Sequence, residues 1–249
     1  MTVGLIASSP NDFAAAVSAH RFDDFAFERE AIALARETLA ETGLLVVGEP
    51  HGVRETPSVL YRLASLLGMR AVGFEWSHEE MDEPLQEFLR TGKFDFGNLW
   101  SLSPSAEFFC GDGRITAGHF ALLQRLRAEG RLDQVIAFDR LDPEPLPDDS
   151  QVREQEMADR LLAERDEHLP LIVLTGASHA QLNAPEGETM AAHLARDLPG
   201  LLPAMLDYVA GRCWSRGQVH DVSGPIPDVP IRLRIPEASP AVVPGCAGS

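Results

Sequence analysis

Basic residues are scarce in this 249-residue chain: 21 lysines and arginines stand against 38 aspartates and glutamates, a formal net charge of −17. Nucleic acid and anionic lipid are polyanions that need a basic footprint, so neither is expected as a partner. Long apolar runs are lacking too. The longest, around Leu44–Val47 and Leu169–Thr175, fall far short of the roughly 20 residues of a membrane-spanning helix. No basic segment precedes the few apolar residues of the N-terminus, which argues against a secretory signal. The three cysteines, Cys110, Cys213 and Cys246, are odd in number and scattered. They exclude a disulfide framework and a CxxC metal knuckle, and they point to a reducing cytoplasm. Each reads as a small hydrophobe or a surface thiol. Several signatures are missing as well: there is no GxSxG elbow, no HExxH, no P-loop and no GxGxxG after a strand.

What is present is a folded-protein composition, 45% hydrophobic and 24% charged, which excludes disorder as the default. Amphipathic helices alternate with short, almost wholly apolar runs. A helix over 27–42 stops at Gly43, and LLVV (44–47) follows, the kind of run found in a strand covered on both faces. Thr56 as N-cap, Pro57 at the first helical position and Gly68 at the end punctuate the next helix, and AVGF (71–74) comes directly after. Ser77 and Glu80 read as a capping box for a helix reaching about Arg90.

Beyond a loop-rich stretch (91–114) come a helix ending at Gly130, VIAF (135–138), a polar loop (142–150), another helix, LPLIVLT (169–175) and a helix around 188–197. MLDYVAG (205–211) is a weaker candidate for a fifth strand. From Ser223 the chain holds six prolines in 27 residues, interrupted by IRLRI (231–235), an expected edge strand. The reading is an α/β fold: a three-layer domain with a mostly parallel central sheet flanked by helices. Residues 1–222 are expected to form one catalytic domain, and 223–249 a Pro-rich extension packed on it or partly disordered.

Parallel sheets place their sites beyond the carboxyl ends of the strands. LLVV runs into Gly48-Glu49-Pro50-His51, AVGF into Glu75-Trp76, VIAF into Asp139-Arg140 and LIVLT into Gly176-Ala177-Ser178-His179. One carboxylate or imidazole at a strand end is commonplace, since such residues cap helices. Four ends that agree are another matter, because clustered like charges cost stability unless they are used. Glu49, His51, Glu75, Asp139 and His179 are therefore expected in one cleft. Arg153 opposes the positive end of its helix and is expected to point at that cluster or at an anionic substrate group. Arg54 and Glu55 could line the same mouth, and Asp112, Arg114 and His119 are weaker candidates from a Gly-rich loop. Trp76, Phe108, Phe109 and Trp214 could wall an apolar pocket or belong to the core. Ser178, beside His179 but not on an elbow, is not assigned as a nucleophile.

Two GxxH motifs, Gly48–His51 and Gly176–His179, with the strand-end Glu75 between them, resemble the clan that joins erythromycin esterase-like enzymes, ChaN-type haem-binding proteins and the TIKI/TraB proteases. GEPHGVRE (48–55) and the Arg153–Met157–Ala158 pattern look like the esterase motifs, and the likeness covers about residues 44–180. A single residue, Pro50, separates Glu49 from His51, which is closer to the ChaN and TIKI form of the first motif. The resemblance implies an erythromycin esterase/ChaN-like fold (EreA/ChaN-like) and a hydrolase, or a related biosynthetic enzyme of secondary metabolism, acting on an ester, lactone or peptide-like acyl linkage.

In that reading His51 is the general base, Glu49 or Glu75 orients it, and His179 donates to the oxyanion or the leaving group. Arg54, Glu55, Asp139, Arg153, Trp76 and His119 are the expected substrate contacts. The substrate is a small molecule or a peptide, and no cofactor is expected. Two alternatives stand beside it. A TIKI-like enzyme would hold zinc or manganese on His51, Glu75 and His179. A ChaN-like protein would bind haem or iron without catalysis, although only Tyr61 and Tyr208 could supply a tyrosine ligand.

Overall fold

Each buried apolar run forms a strand and each amphipathic segment a helix packed on the resulting sheet. The computed structural model describes residues 5–102, 111–140, 149–185, 187–222 and 229–245. Phe108, Phe109, Cys110, Cys246 and most of the 142–150 loop lie outside the described residues. In chain order the elements are β1 (Ile6–Ala7), α1 (Pro10–Ala19), α2 (Arg29–Thr42), β2 (Leu44–Glu49), α3 (Thr56–Leu67), β3 (Ala71–Ser77), α4 (His78–Thr91), α5 (Phe96–Leu102) and α6 (Ala117–Ala128). There follow β4 (Gln134–Asp139), α7 (Asp149–Glu164), β5 (Leu171–Gly176), α8 (Met190–Asp197), β6 (Ala204–Tyr208), β7 (Arg212–Ser215), β8 (Gln218–Asp221), β9 (Ile231–Ile235) and β10 (Val243–Pro244).

The central sheet has six strands in the order β4-β3-β5-β2-β6-β9, and every pairing in it is parallel. This is the α/β architecture expected, with MLDY and IRLRI as the fifth and sixth strands. The two-residue period of a strand divides the buried side chains between two cores. Leu45, Val47, Ile172 and Leu174 enter the larger one with Val72, Phe74 and Trp76, while Leu44, Val46, Leu171 and Val173 enter the smaller one with Met157 and Leu161. Gly43 and Gly68 end α2 and α3 in the left-handed region, at φ 72° and 70°. Ser77 caps α4, accepting from the Glu80 N–H.

Some expectations shift. Thr56 lies inside α3 rather than capping it, and its hydroxyl bonds the buried Tyr208 hydroxyl at 2.8 Å. The stretch 91–114 contains α5, and Ser9 caps α1 with Pro10 at its first position, a start signal the apolar periodicity did not bring out. Downstream of β9 the chain crosses the loop that follows β2. There Ala241 N–H donates to Gly52 O at 2.9 Å, Arg54 N–H to Ser239 O at 2.8 Å, and β10 pairs with β1. Among the described residues no helix is long and apolar enough to cross a membrane.

Candidate active site

Four strand ends and two loops build one polar cluster. Alternation along β3 sends Trp76 into the larger core, where it stacks on Phe74 at 4.3 Å, and turns Glu75 the other way. Glu75 is 2% exposed, and both its oxygens are engaged. Oε2 accepts from Thr175 Oγ1 and from the Gly176 N–H, each at 2.7 Å. Oε1 faces Arg153 at 3.2 Å, Arg114 at 3.4 Å and His179 Nε2 at 3.5 Å. Burial pushes the Glu75 carboxyl up, but Arg114, His179, His51 and Arg153 outweigh it and hold it well below the usual carboxylate range. Glu75 is a fixed anion at the centre of the site.

Two imidazoles flank it. His51 Nδ1 lies 3.2 Å from Glu49 Oε1, and His51 Nε2 lies 3.7 Å from Glu75 Oε2. His179 Nδ1 meets Glu154 Oε1 at 2.5 Å and turns its Nε2 toward Glu75. Each ring is therefore held at Nδ1 by its own carboxylate and presents Nε2 to a shared one. Between them Gly176 leaves room. A Cβ there would stand 3.1 Å from His51 Nε2 and 3.4 Å from His179 Cδ2.

The protonation pattern follows from these contacts. Burial pushes His51 down, yet the Glu49 hydrogen bond and the Glu75, Asp112 and Glu49 charges raise it to about 9. His179 is pushed down by burial and raised above its ordinary range by the Glu75 charge and the Glu154 hydrogen bond. Burial raises the Glu49 carboxyl despite its bond to His51. His51 thus carries its proton at neutral pH in the free protein.

The rest of the cluster is ionic. Asp139 binds Arg153 at Nε (2.9 Å) and Nη2 (2.5 Å) and Arg114 at Nη1 (2.7 Å). Arg114 also grips Asp112 through Nε and Nη2 at 3.0 and 2.6 Å, and Asp112, although burial pushes it up, is held down at about 2 by that guanidinium. Two hollows border the cluster on either side of the start of α7. One of about 330 Å³ runs past Asp139, Arg140 and Arg153, and one of about 370 Å³ past Glu154, Ser178 and Gln181.

Glu49, His51, Glu75, Asp139, Arg153 and His179 are thus brought together. Four other candidates lie elsewhere. Arg54 is half-exposed and pairs with Asp23 and Glu55 beside a separate apolar hollow. Glu55 is buried and accepts the Ser239 N–H at 2.7 Å, which ties down the C-terminal segment. Trp76 and His119 are 1% exposed in the core; His119 packs 5.2 Å from Phe74, and burial pushes it down to about 3. Trp214 and Cys213 are buried in the strand that donates from Trp214 N to Gly52 O.

No protein-family model matches the chain, and no curated protein matches it in sequence. Solved structures do share its fold. A protein from Bacillus cereus aligns over 94% of this chain and 99% of its own at 11% identity, with a TM-score of 0.61. A succinoglycan biosynthesis protein aligns over 94% and 98% at 10% identity, with a TM-score of 0.66. RRSP, a MARTX toxin effector domain from Vibrio vulnificus, aligns over 90% of this chain and 40% of its own at 16% identity, with a TM-score of 0.50. At such identities the likeness is one of fold.

Three members of the cluster, Glu154, Arg114 and Asp112, stand out little in the sequence. Glu154 sits among many acidic residues of α7 and carries no distinguishing signal beyond its place next to Arg153. Arg114 follows a Gly-rich turn whose direction only the tertiary contacts set, including the Trp76 Nε1–H donated to its carbonyl at 2.9 Å.

Proposed function

We propose that this chain is a hydrolase, erythromycin esterase-like in its motifs, that cleaves an ester, lactone or peptide-like acyl linkage in a small molecule or peptide. The observation that carries the reading is the pair of imidazoles, each oriented at Nδ1 by a carboxylate and each presenting Nε2 to the shared Glu75. His51, once deprotonated, takes a proton from water as the oxygen attacks the acyl carbon. The carbonyl electron pair moves to oxygen, where the His179 Nε2–H donates to it. Collapse of the tetrahedral species breaks the acyl bond, and the leaving group departs with a proton from His179. Arg153 and Arg114 are held on Asp139 and Glu75, and Arg153 borders the hollow where a substrate oxygen or carboxylate would lie.

The donor set argues for a mechanism carried by the protein's own groups. A divalent ion on His51, Glu75 and His179 would have to take Glu75 oxygens already given to Thr175, Gly176 and two guanidinium groups, and those cations would repel it. The set does not fit zinc or manganese. A haem-binding reading lacks support as well, since Tyr208 is engaged with Thr56 and Tyr61 with Glu129.

The test is hydrolysis of p-nitrophenyl acetate, a panel of lactones and a panel of peptide amides by the full chain, before and after exhaustive chelation. Turnover that survives chelation and is lost in His51→Gln supports the proposal. Turnover in none of the panels, or turnover that persists undiminished in His51→Gln, overturns it.

A further inference from the structure

Glu154 lies on α7, outside every motif that drew attention to this site, and its two oxygens do different things. Oε1 meets His179 Nδ1 at 2.5 Å, and Oε2 accepts the Met190 N–H at 2.6 Å. Met190 is the first residue of α8, and the next N–H, that of Ala191, donates to the backbone carbonyl of His179 at 3.0 Å. Thr189 Oγ1 takes the Ala192 N–H at 3.2 Å. The first turn of a helix leaves its N–H groups without partners inside the helix. Here one of them fixes the Glu154 side chain and the next fixes the His179 main chain, so one helix end anchors both members of the pair.

We propose that Glu154 is a positioning residue: it accepts the hydrogen bond of the His179 Nδ1–H and so presents Nε2, the only other ring nitrogen, to Glu75. That it serves turnover rests on the function proposed above; the geometry of the ring does not. A carboxylate can only accept at both oxygens, so the neutral ring keeps its proton on Nδ1 and the acid form adds one at Nε2. The groups that face this ring are Glu75 from β3 and Arg153 and Glu154 from α7. Glu154 complements Glu49, which does the same for His51 on the far side of Glu75.

Glu154→Gln separates the two tasks. Glutamine has one carbonyl oxygen, which can go on accepting the Met190 N–H, but its amide nitrogen then confronts the Nδ1–H with a second donor. The experiment is long-range ¹H–¹⁵N NMR of the histidine side chains in the full chain, titrated with pH, with His179→Gln used to assign the resonance. Expected are an Nδ1–H tautomer for neutral His179 in the wild type and a fall of at least about tenfold in its proton affinity in Glu154→Gln, with the melting temperature nearly unchanged. Glu154→Asp, which keeps a carboxylate, should recover part of that affinity. An Nε2–H tautomer in the wild type overturns the inference without any variant, and so does a His179 titration that Glu154→Gln leaves unmoved. Neither result touches the proposed hydrolase, which stands or falls on turnover by the wild type and its loss in His51→Gln.

Discussion

His51 Nε2 stands 3.7 Å from Glu75 Oε2, the oxygen that also receives the Thr175 hydroxyl and the Gly176 N–H. Because that carboxylate is saturated by other donors, it holds the imidazole by charge and leaves Nε2 available to a substrate or a water.

His51→Gln keeps a side chain able to bond Glu49 but cannot accept a proton from water. Loss of a general base costs about 10²–10⁴-fold in turnover. Initial rates on an ester that the wild type hydrolyses, alongside circular dichroism of the variant, check it; equal rates would remove His51 from the mechanism.

The pH profile should be alkaline. His51 titrates at about 9 in the free protein, so the base form is scarce at neutral pH, and kcat/KM should climb above neutral pH and fall again where His179, the acid of the mechanism, loses its proton. A profile that levels off near the ordinary histidine value contradicts the Glu49 and Glu75 contacts.

Stability should be greatest near the ordinary histidine range. The folded state raises His51 from 6.5 to about 9, so its stabilising contribution is complete below 6.5 and is lost as pH rises through about 9. His20 and His119 are lowered to about 4 and about 3, chiefly by burial, so they favour folding above 6.5 and that contribution is lost as pH falls through their folded values. Thermal melts across the range should therefore fall away on both sides. A monotonic trend would contradict this balance.

Gly176→Ala should separate activity from stability. The new methyl would press on His51 Nε2 at 3.1 Å, and moving a reacting group by a few tenths of an ångström costs about tenfold or more in rate. Alanine also narrows the unfolded ensemble, so the melting temperature should hold or rise slightly. Parallel rate and melting measurements test both halves.

Glu55→Ala should act on the fold. It strips a buried acceptor from the Ser239 N–H, and leaving such a donor unsatisfied costs about 1–3 kcal/mol. The C-terminal segment it ties down also donates from Ala241 to Gly52, next to His51. Denaturant unfolding should show the loss, while the pH profile of the remaining activity stays as in the wild type.

Some of this was legible along the chain. Continuous apolar runs between amphipathic helices dictate strands buried on both faces, and parallel strands bring the residues after them to one edge. Glu49, His51, Glu75, Asp139 and His179 could be named for that reason alone. Arg153 could be named because a cation in the first turn of a helix needs an acidic partner. Contacts between residues far apart obey no local rule. Whether Arg54 or Arg114 turned toward Glu75, whether His119 met solvent or the Phe74 ring, and which acid of α7 reached His179 depended on how loops and helix ends pack. The sequence alone determined which residues stand at the sheet edge, because periodicity and chain direction are local properties. Only the tertiary structure decided which of them share protons, because that depends on distances between elements and on the water that packing excludes.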